Sequence, residues 1–298
     1  MNNIFPWQNE IWKILTKNKS SIGHAILLKG KKGIGKLEFA KSLAKFLLCE
    51  DRLSENQACG SCSGCRWFEQ AGHPDFYLVE PEALSESSGE SKDKPSSAKL
   101  KKKPSKQISV AEIRALNDVV NMSSHRNGYK IVIINPAEAM NSAAANALLK
   151  NLEEPPPQTL FILVTHRPHH ILPTIHSRCR QIAMPVPDFN LAIDWLEKQD
   201  IEGAKDSLAA VGYAPLAALE YNNGDYRIEH ENFINNISLL NGLNPILLAE
   251  ELQKSDLPTT ISWLQKWCYD LMSCRTTGKI RYHLSMQAEI EELVPKIE

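Results

Sequence analysis

No apolar run in this sequence approaches the roughly 18 residues that a membrane-crossing helix needs, so a membrane span is not expected. Its first residues, MNNIFPWQNE, place no basic head before an apolar stretch, so a secretory signal is not expected either, and the two absences together predict a cytoplasmic protein. Charge of one sign is also missing. The formal net charge is −1, which leaves no global field to draw the chain to nucleic acid or lipid; such binding would have to come from local patches. There is no internal repeat. Disulfides are not expected in a cytoplasmic chain, so the seven cysteines call for another reading, and four of them cluster.

The 298 residues suffice for two or three domains, and 43% apolar content can build real cores. Apolar runs of strand length recur at 25–28, 76–79, 130–134, 160–164 and, more weakly, 181–184. Helical patterns lie between them. Over 36–48, Leu37, Ala40, Leu43, Ala44 and Leu47 share a face. The stretch 110–120 opens with a capping box, Ser109 and Glu112, and Asn141 caps 142–153 before Pro155, Pro156 and Pro157 end it. Continuously apolar strands alternating with helices predict a parallel sheet covered on both faces. Residues 84–106 break this order: rich in Ser and Glu, then in lysine, they carry Lys92, Lys94, Lys99, Lys101, Lys102, Lys103 and Lys106 without periodicity, and read as a disordered surface loop. A solvated insertion is the plain reading, and a contact to DNA phosphates the alternative. Beyond about Pro187 the strand signals stop. Segments 194–197, 204–211 and 215–221 predict a small helical domain, and from about Arg227 a second helical region follows, with Ile234, Ile237, Leu239 and Leu240. There Ile261, Leu264, Trp267, Cys268 and Leu271 recur at helical spacing, and the Trp and Cys residues read as core rather than site.

Residues 30–37, Gly-Lys-Lys-Gly-Ile-Gly-Lys-Leu, follow the first strand and open a helix, the context a phosphate loop requires. Gly30, Gly33 and Gly35 let backbone amides turn toward phosphate oxygens, and Lys36 reaches the β- and γ-phosphates; the alternative is a glycine-rich turn with no ligand. Two groups are missing. Leu37 stands where a Ser or Thr hydroxyl would hold Mg²⁺. The third strand ends in Asn135-Pro136, where an active site would place Asp-Glu, and Glu138, three residues on, is expected to point elsewhere. Without metal-positioning groups and base, most of what catalyses phosphoryl transfer is absent.

Cys49, Cys59, Cys62 and Cys65 form C-x9-C-x2-C-x2-C. Four thiolates at this spacing suit a closed, structural, tetrahedral Zn²⁺ site, with an iron–sulfur cluster as the alternative. Cys179, Cys268 and Cys274 are too scattered to join it.

Together with Gly72-His73-Pro74-Asp75, Asn146-Ala147-Leu148-Leu149-Lys150, Leu152-Glu153-Glu154-Pro155-Pro156 and Ser177-Arg178-Cys179, these motifs resemble the bacterial DNA polymerase III clamp-loader subunits, over about residues 20–185. The resemblance implies an α/β fold of P-loop AAA+ type: a parallel five-stranded sheet in 1–186, with a zinc module inserted at 49–65 and the basic loop at 84–106. A small helical lid would occupy 187–226 and an all-α collar for oligomerisation 227–298. Motor subunits of the family keep the hydroxyl and the Asp-Glu that this chain lacks, and a phosphate-sensing arginine where Leu216 stands. The chain therefore resembles the non-hydrolysing stator. That implies a hetero-pentamer with the gamma/tau motors and the delta subunit, loading the sliding clamp onto primed DNA during replication as part of a DNA polymerase (nucleotidyltransferase) holoenzyme. Arg178 would act in trans as a finger in a neighbouring ATP site, and Thr165, at the family's sensor position, would be structural. From the triplet alone Arg178 reads first as a surface or salt-bridged arginine, and the finger role comes from the surrounding motifs. The rivals are an active motor of the same fold and a stand-alone zinc-dependent nucleic-acid-binding protein.

Overall fold

The computed structural model describes residues 4–17, 22–54, 56–85, 104–121, 128–223, 226–238, 245–251 and 256–296. Most of the lysine-rich segment, 86–103, lies outside the described residues, as do Leu239 and Leu240. The chain divides into two compact units, Met1–Val186 and Pro187–Glu298.

In the first unit a short 3₁₀ turn, Pro6–Gln8, leads into α1 (Asn9–Lys17), β1 (Ala25–Lys29) and α2 (Lys36–Leu48). There follow α3 (Ser63–Glu69), β2 (Phe76–Val79), α4 (Glu82–Ser85), α5 (Val110–Val120), β3 (Lys130–Ile134) and α6 (Ser142–Glu153). The unit ends with β4 (Thr159–Thr165), α7 (Pro173–His176) and β5 (Arg180–Ala183). The five strands form one parallel sheet in the order β2-β3-β4-β1-β5. This is the P-loop AAA+ architecture, with the glycine-rich loop at the carboxyl end of β1, which lies between β4 and β5. Residues of β1, β3 and β4 are almost completely buried because helices cover both faces, which is why these strands read as unbroken apolar runs. One face carries Leu27, Val132, Ile134, Phe161 and Leu163, packed against α5 and α6. The predicted caps form: Ser109 Oγ accepts the Glu112 amide while Glu112 accepts that of Ser109, and Asn141 Oδ1 accepts the Ala144 amide at 2.8 Å. The two ends of the lysine-rich excursion are joined, since the Ala83 amide donates to Ser105 O at 3.1 Å and the Ser105 amide to Glu82 Oε2 at 3.3 Å.

The second unit is all helical in its described residues: α8 (Phe189–Glu197), α9 (Ala204–Ala210), α10 (Pro215–Asn222), α11 (Tyr226–Ser238), α12 (Pro245–Glu251), α13 (Leu257–Thr277) and α14 (Gln287–Leu293). Its described residues include two apolar clusters. Ala192, Leu196, Leu208 and Ala218 join α8, α9 and α10; Phe233, Ile234, Trp263, Trp267, Ile290 and Leu293 join α11, α13 and α14. The core reading of α13 holds for its tryptophans and fails for Cys268. Trp263, Trp267 and Asp270 face inward, whereas Ile261, Leu264 and Cys268 are exposed. The helix carries two apolar stripes, and periodicity alone does not say which one the fold buries.

Candidate functional site: a phosphate loop, a four-cysteine knuckle and an exposed arginine

The phosphate loop runs from β1 into α2 and is braced from behind by the N-terminal 3₁₀ turn. Trp7 Nε1 donates to Ile34 O at 3.0 Å, and Gln8 Nε2 donates to Ile34 O at 3.0 Å and Gly35 O at 2.8 Å. Phe5 and Trp7 stack with centroids 4.9 Å apart. Gly35 begins the helix at φ +82°, and a Cβ there would lie 2.4 Å from the Phe5 ring, so conformation and space both demand glycine. This brace escapes sequence reading because it joins residues 26 and 27 positions apart.

Lys36 is buried, and its ammonium turns back onto its own loop, donating to Gly30 O at 2.8 Å and to Lys31 O. Burial lowers its pKa to about 8, against the opposing pull of Glu138 and Glu38. Leu37 offers no oxygen beside it. At the end of β3, Asn135 Nδ2 donates to Glu80 Oε1 at 2.6 Å, while Asn135 Oδ1 is buried without a hydrogen-bond partner. Glu138 does not point away as expected. Its Oε1 accepts the His166 amide at 2.9 Å, its other oxygen is buried and unpartnered, and its charge acts on both Lys36 and His166. The 3₁₀ turn Ala137–Ala139 after Pro136 reverses the chain and brings the carboxylate in. Burial, and then Lys36, push His166 down to about 4, so its ring is neutral. Thr165, fully buried at the end of β4, accepts the Arg167 amide at 3.1 Å. A carboxylate thus returns to the site, but neither a hydroxyl at position 37 nor an acid at position 135 does.

The four predicted cysteines come together at the end of α2 and the start of α3. All four sulfurs lie within 4.8 Å of one another, with separations of 3.6 Å for Cys49–Cys59 and 3.9 Å for both Cys49–Cys62 and Cys59–Cys65. Four sulfurs placed tetrahedrally at about 2.3 Å from one ion stand about 3.8 Å apart, so the cluster could hold a metal ion. Backbone amides already point at the sulfurs: Cys62 N–H to Cys59 at 3.2 Å, Cys59 N–H to Cys49 at 3.3 Å and Cys65 N–H to Cys62 at 3.4 Å. Amides of Ser61 and Cys62 hold the Cys59 thiol down to about 6, while burial pushes Cys49 and Cys65 up. A cation would override that cost of burial and deprotonate all four. At Gly64 a Cβ would lie 2.7 Å from Leu48 O, which fixes glycine where α3 crosses the end of α2.

Arg178 sits between α7 and β5, partly exposed. Its Nη2 pairs with Glu153 Oε1 at 2.6 Å, and Nη1 donates to Thr174 O at 2.9 Å and Ser177 Oγ at 3.2 Å. Cys179 beside it is buried, and burial raises its thiol to about 12. Leu216 lies in the first turn of α10, half-buried and aliphatic.

The family described as "DNA polymerase III, delta subunit" matches residues 7–188. The DNA polymerase III subunit delta′ of Pseudomonas aeruginosa is 33% identical over 295 residues, covering 97% of this chain and 81% of that protein. The delta′ subunit of Yersinia pestis is 30% identical over 284 residues, covering 91% and 76%. That of Bacillus subtilis is 34% identical over 203 residues, covering 67% and 54%. With a sheet, a phosphate loop and a cysteine knuckle in one frame and relatives of this extent, the chain belongs to the DNA polymerase III delta-prime family.

Proposed function

We propose that this chain is the stator of a DNA polymerase III clamp loader, taking part in ATP-driven loading of the sliding clamp without hydrolysing ATP itself. The observation that carries the reading is the condition of the phosphate loop. Leu37 and Asn135 replace both groups that would hold Mg²⁺, and Lys36 spends its ammonium on the carbonyls of Gly30 and Lys31. Metal-assisted transfer of a phosphoryl group needs those oxygens. Glu138, turned toward Lys36, favours the rival of a residual motor, but one carboxylate does not replace two lost metal positions.

In this reading the partners are gamma/tau motor subunits and the delta subunit in a hetero-pentamer, with clamp and primed DNA reached through the complex in the cytoplasmic replisome. Among the described residues no helix is long and apolar enough to cross a membrane. The four cysteines hold a structural zinc. Arg178 is the finger for a neighbour's ATP site: a planar, permanently charged guanidinium suits a γ-phosphate. Its pair with Glu153 is partly exposed on both sides, and such pairs contribute only about 0–1 kcal/mol, so releasing it costs little.

Two assays test this. The purified chain with labelled ATP should show turnover no higher than buffer; turnover above background that vanishes in Lys36→Ala would return the motor reading. In a complex reconstituted with motor and delta subunits, Arg178→Ala should lower DNA-stimulated ATPase by about 10-fold or more while the complex still assembles. Unchanged ATPase would remove the trans role.

A further inference from the structure

The α-helical unit holds a second group of chemistry-bearing side chains, which the phosphate loop and the cysteine knuckle do not use. Asp270, on α13, is fully buried and accepts four donors from one turn: the amides of Arg281, Tyr282 and His283, and His283 Nδ1 at 2.8 Å. That hydrogen bond places a proton on Nδ1, so that in the neutral ring the lone pair is on Nε2. On α11, His230 is tied through Nδ1 to the Tyr221 hydroxyl, also at 2.8 Å. The two imidazoles are neighbours, with ring centroids 5.5 Å apart, and both line one cavity of about 310 Å³ bordered by α9, α11 and the 282–286 segment. His230 is 3% exposed and His283 5%. In each ring Nδ1 is anchored, and Nε2 is buried with no hydrogen-bond partner.

Packing alone accounts for the ring positions, since His230 also lies 5.0 Å from the Trp263 ring. It does not account for the nitrogens. Buried polar side-chain atoms are nearly always paired, and here two on adjoining rings, both closed off from solvent, are left unpaired in residues that line the same cavity. For His283 the arrangement matches how proteins prepare histidines for a metal, a carboxylate holding one nitrogen and orienting the ring so that the other can ligate; His230 is prepared in the same way in the tautomer whose Nδ1–H donates to the Tyr221 oxygen. The spacing agrees. Two imidazoles bound at about 2.1 Å to one tetrahedral ion place their ring centroids roughly 5 Å apart. Asp206 and Glu231 add carboxylates to the cavity wall, Glu231 being held by Arg227 at 2.7 Å, and Met286 adds a thioether.

We propose that His230 and His283 form a second transition-metal site, an open two-histidine site for a borderline divalent ion such as zinc, with Asp270 and Tyr221 as its orienting groups. Imidazole nitrogen selects zinc, nickel or copper over magnesium and calcium. With only two protein ligands the ion exchanges with solution, unlike one held by the four cysteines. Solvent in the cavity completes its coordination.

The test uses the full chain, its cysteines first saturated with zinc, and reads the histidines directly by imidazole ¹⁵N NMR. Added Zn²⁺ should shift the Nε2 resonances of His230 and His283 together and saturably, and Mg²⁺ should shift neither. His230→Gln and His283→Gln should each remove the exchangeable zinc equivalent seen by equilibrium dialysis, while the cysteine-bound equivalent stays. If either variant fails to fold by near-ultraviolet circular dichroism, the wild-type titration decides. Should neither resonance move at millimolar zinc, or only one of them, or should the exposed His169 and His170 respond at the same concentration, the shared site is overturned.

Discussion

Lys36 is a charged group held in a place that taxes its charge. Its ammonium is buried, two carbonyls accept from it, and its pKa falls from 10.5 to about 8. A cationic group whose folded pKa lies below its unfolded one binds fewer protons folded than unfolded between the two values. Stability therefore rises with pH from about 8 to about 10.5, and below 8 the full cost is present. A tenfold change in a protonation equilibrium corresponds to about 1.4 kcal/mol, and relaxation and solvent around the site reduce the total, so the cost at neutral pH is about 1–3 kcal/mol. Lys36→Met keeps the aliphatic stem and deletes the charge. It should raise unfolding stability by that amount at pH 7, and the gain over wild type should shrink toward pH 10. Urea unfolding at the two pH values measures both. A loss of stability at pH 7 would mean that the carbonyl contacts outweigh burial. The same residue was legible in the sequence as a phosphate ligand, because strand, loop and helix fall in order around it. Its actual partners were not legible, since they depend on how the loop closes. Glu138 was hidden for a similar reason: three residues along an extended chain it would point away, and only the 3₁₀ turn after Pro136 brings it in.

Elements were legible where their signals are local. The five strands stand within a residue or so of their predicted runs; burial on both faces makes those of β1, β3 and β4 continuous, whereas β2 is half-buried and β5 mostly exposed. The helices α5 and α6 begin at their caps. Two short helices, α3 and α7, carry no such pattern: α3 is built around Cys62 and Cys65, with Cys62 as its cap, and α7 spans only four residues. The start of α3 leans on the cysteines, because Ala58 and the sulfurs are all that this small cluster packs, while its end is held by Phe68 against Phe76, ring centroids 4.7 Å apart. Removing the ion proposed there should release the excursion between α2 and β2. Cys62→Ser should remove the cysteine-bound zinc equivalent by elemental analysis, as a strong chelator should, and both should speed proteolysis within 49–69. Amide exchange of β1, β3 and β4 should stay slow, since these strands are buried against other helices. Equal loosening of the central strands would show that the knuckle supports the whole sheet rather than its own loop.

At the scale of the whole molecule the two halves of the proposed role rest on different surfaces, and this can be tested. Arg178 belongs to the first unit and would act on a neighbour's nucleotide; assembly would fall to the helical second unit. Along α13, Leu257, Ile261, Leu264 and Met272 are exposed by 68, 46, 47 and 69%, with Cys268 between them also exposed. Their spacing of three or four residues makes one continuous stripe, opposite the buried Trp263 and Trp267. An apolar stripe of this length on a water-facing helix is costly to solubility unless something covers it, and in the clamp-loader reading that cover is a neighbouring subunit. The double change Ile261→Asp and Leu264→Asp leaves the buried face untouched, so the isolated chain should keep its circular dichroism and its melting temperature within a few degrees. In reconstitution the same variant should fail to co-elute with motor and delta subunits on size exclusion, and the mixture should lose ATPase because no ring forms. Arg178→Ala should show the reverse: normal co-elution and low ATPase. Glu153→Ala, which only frees the arginine from its exposed pair, should match wild type in both. If the stripe variant assembles normally, the collar contact lies elsewhere on the second unit, whatever Arg178 does; if it assembles and Arg178→Ala does not, the assignment of roles to the two units is inverted.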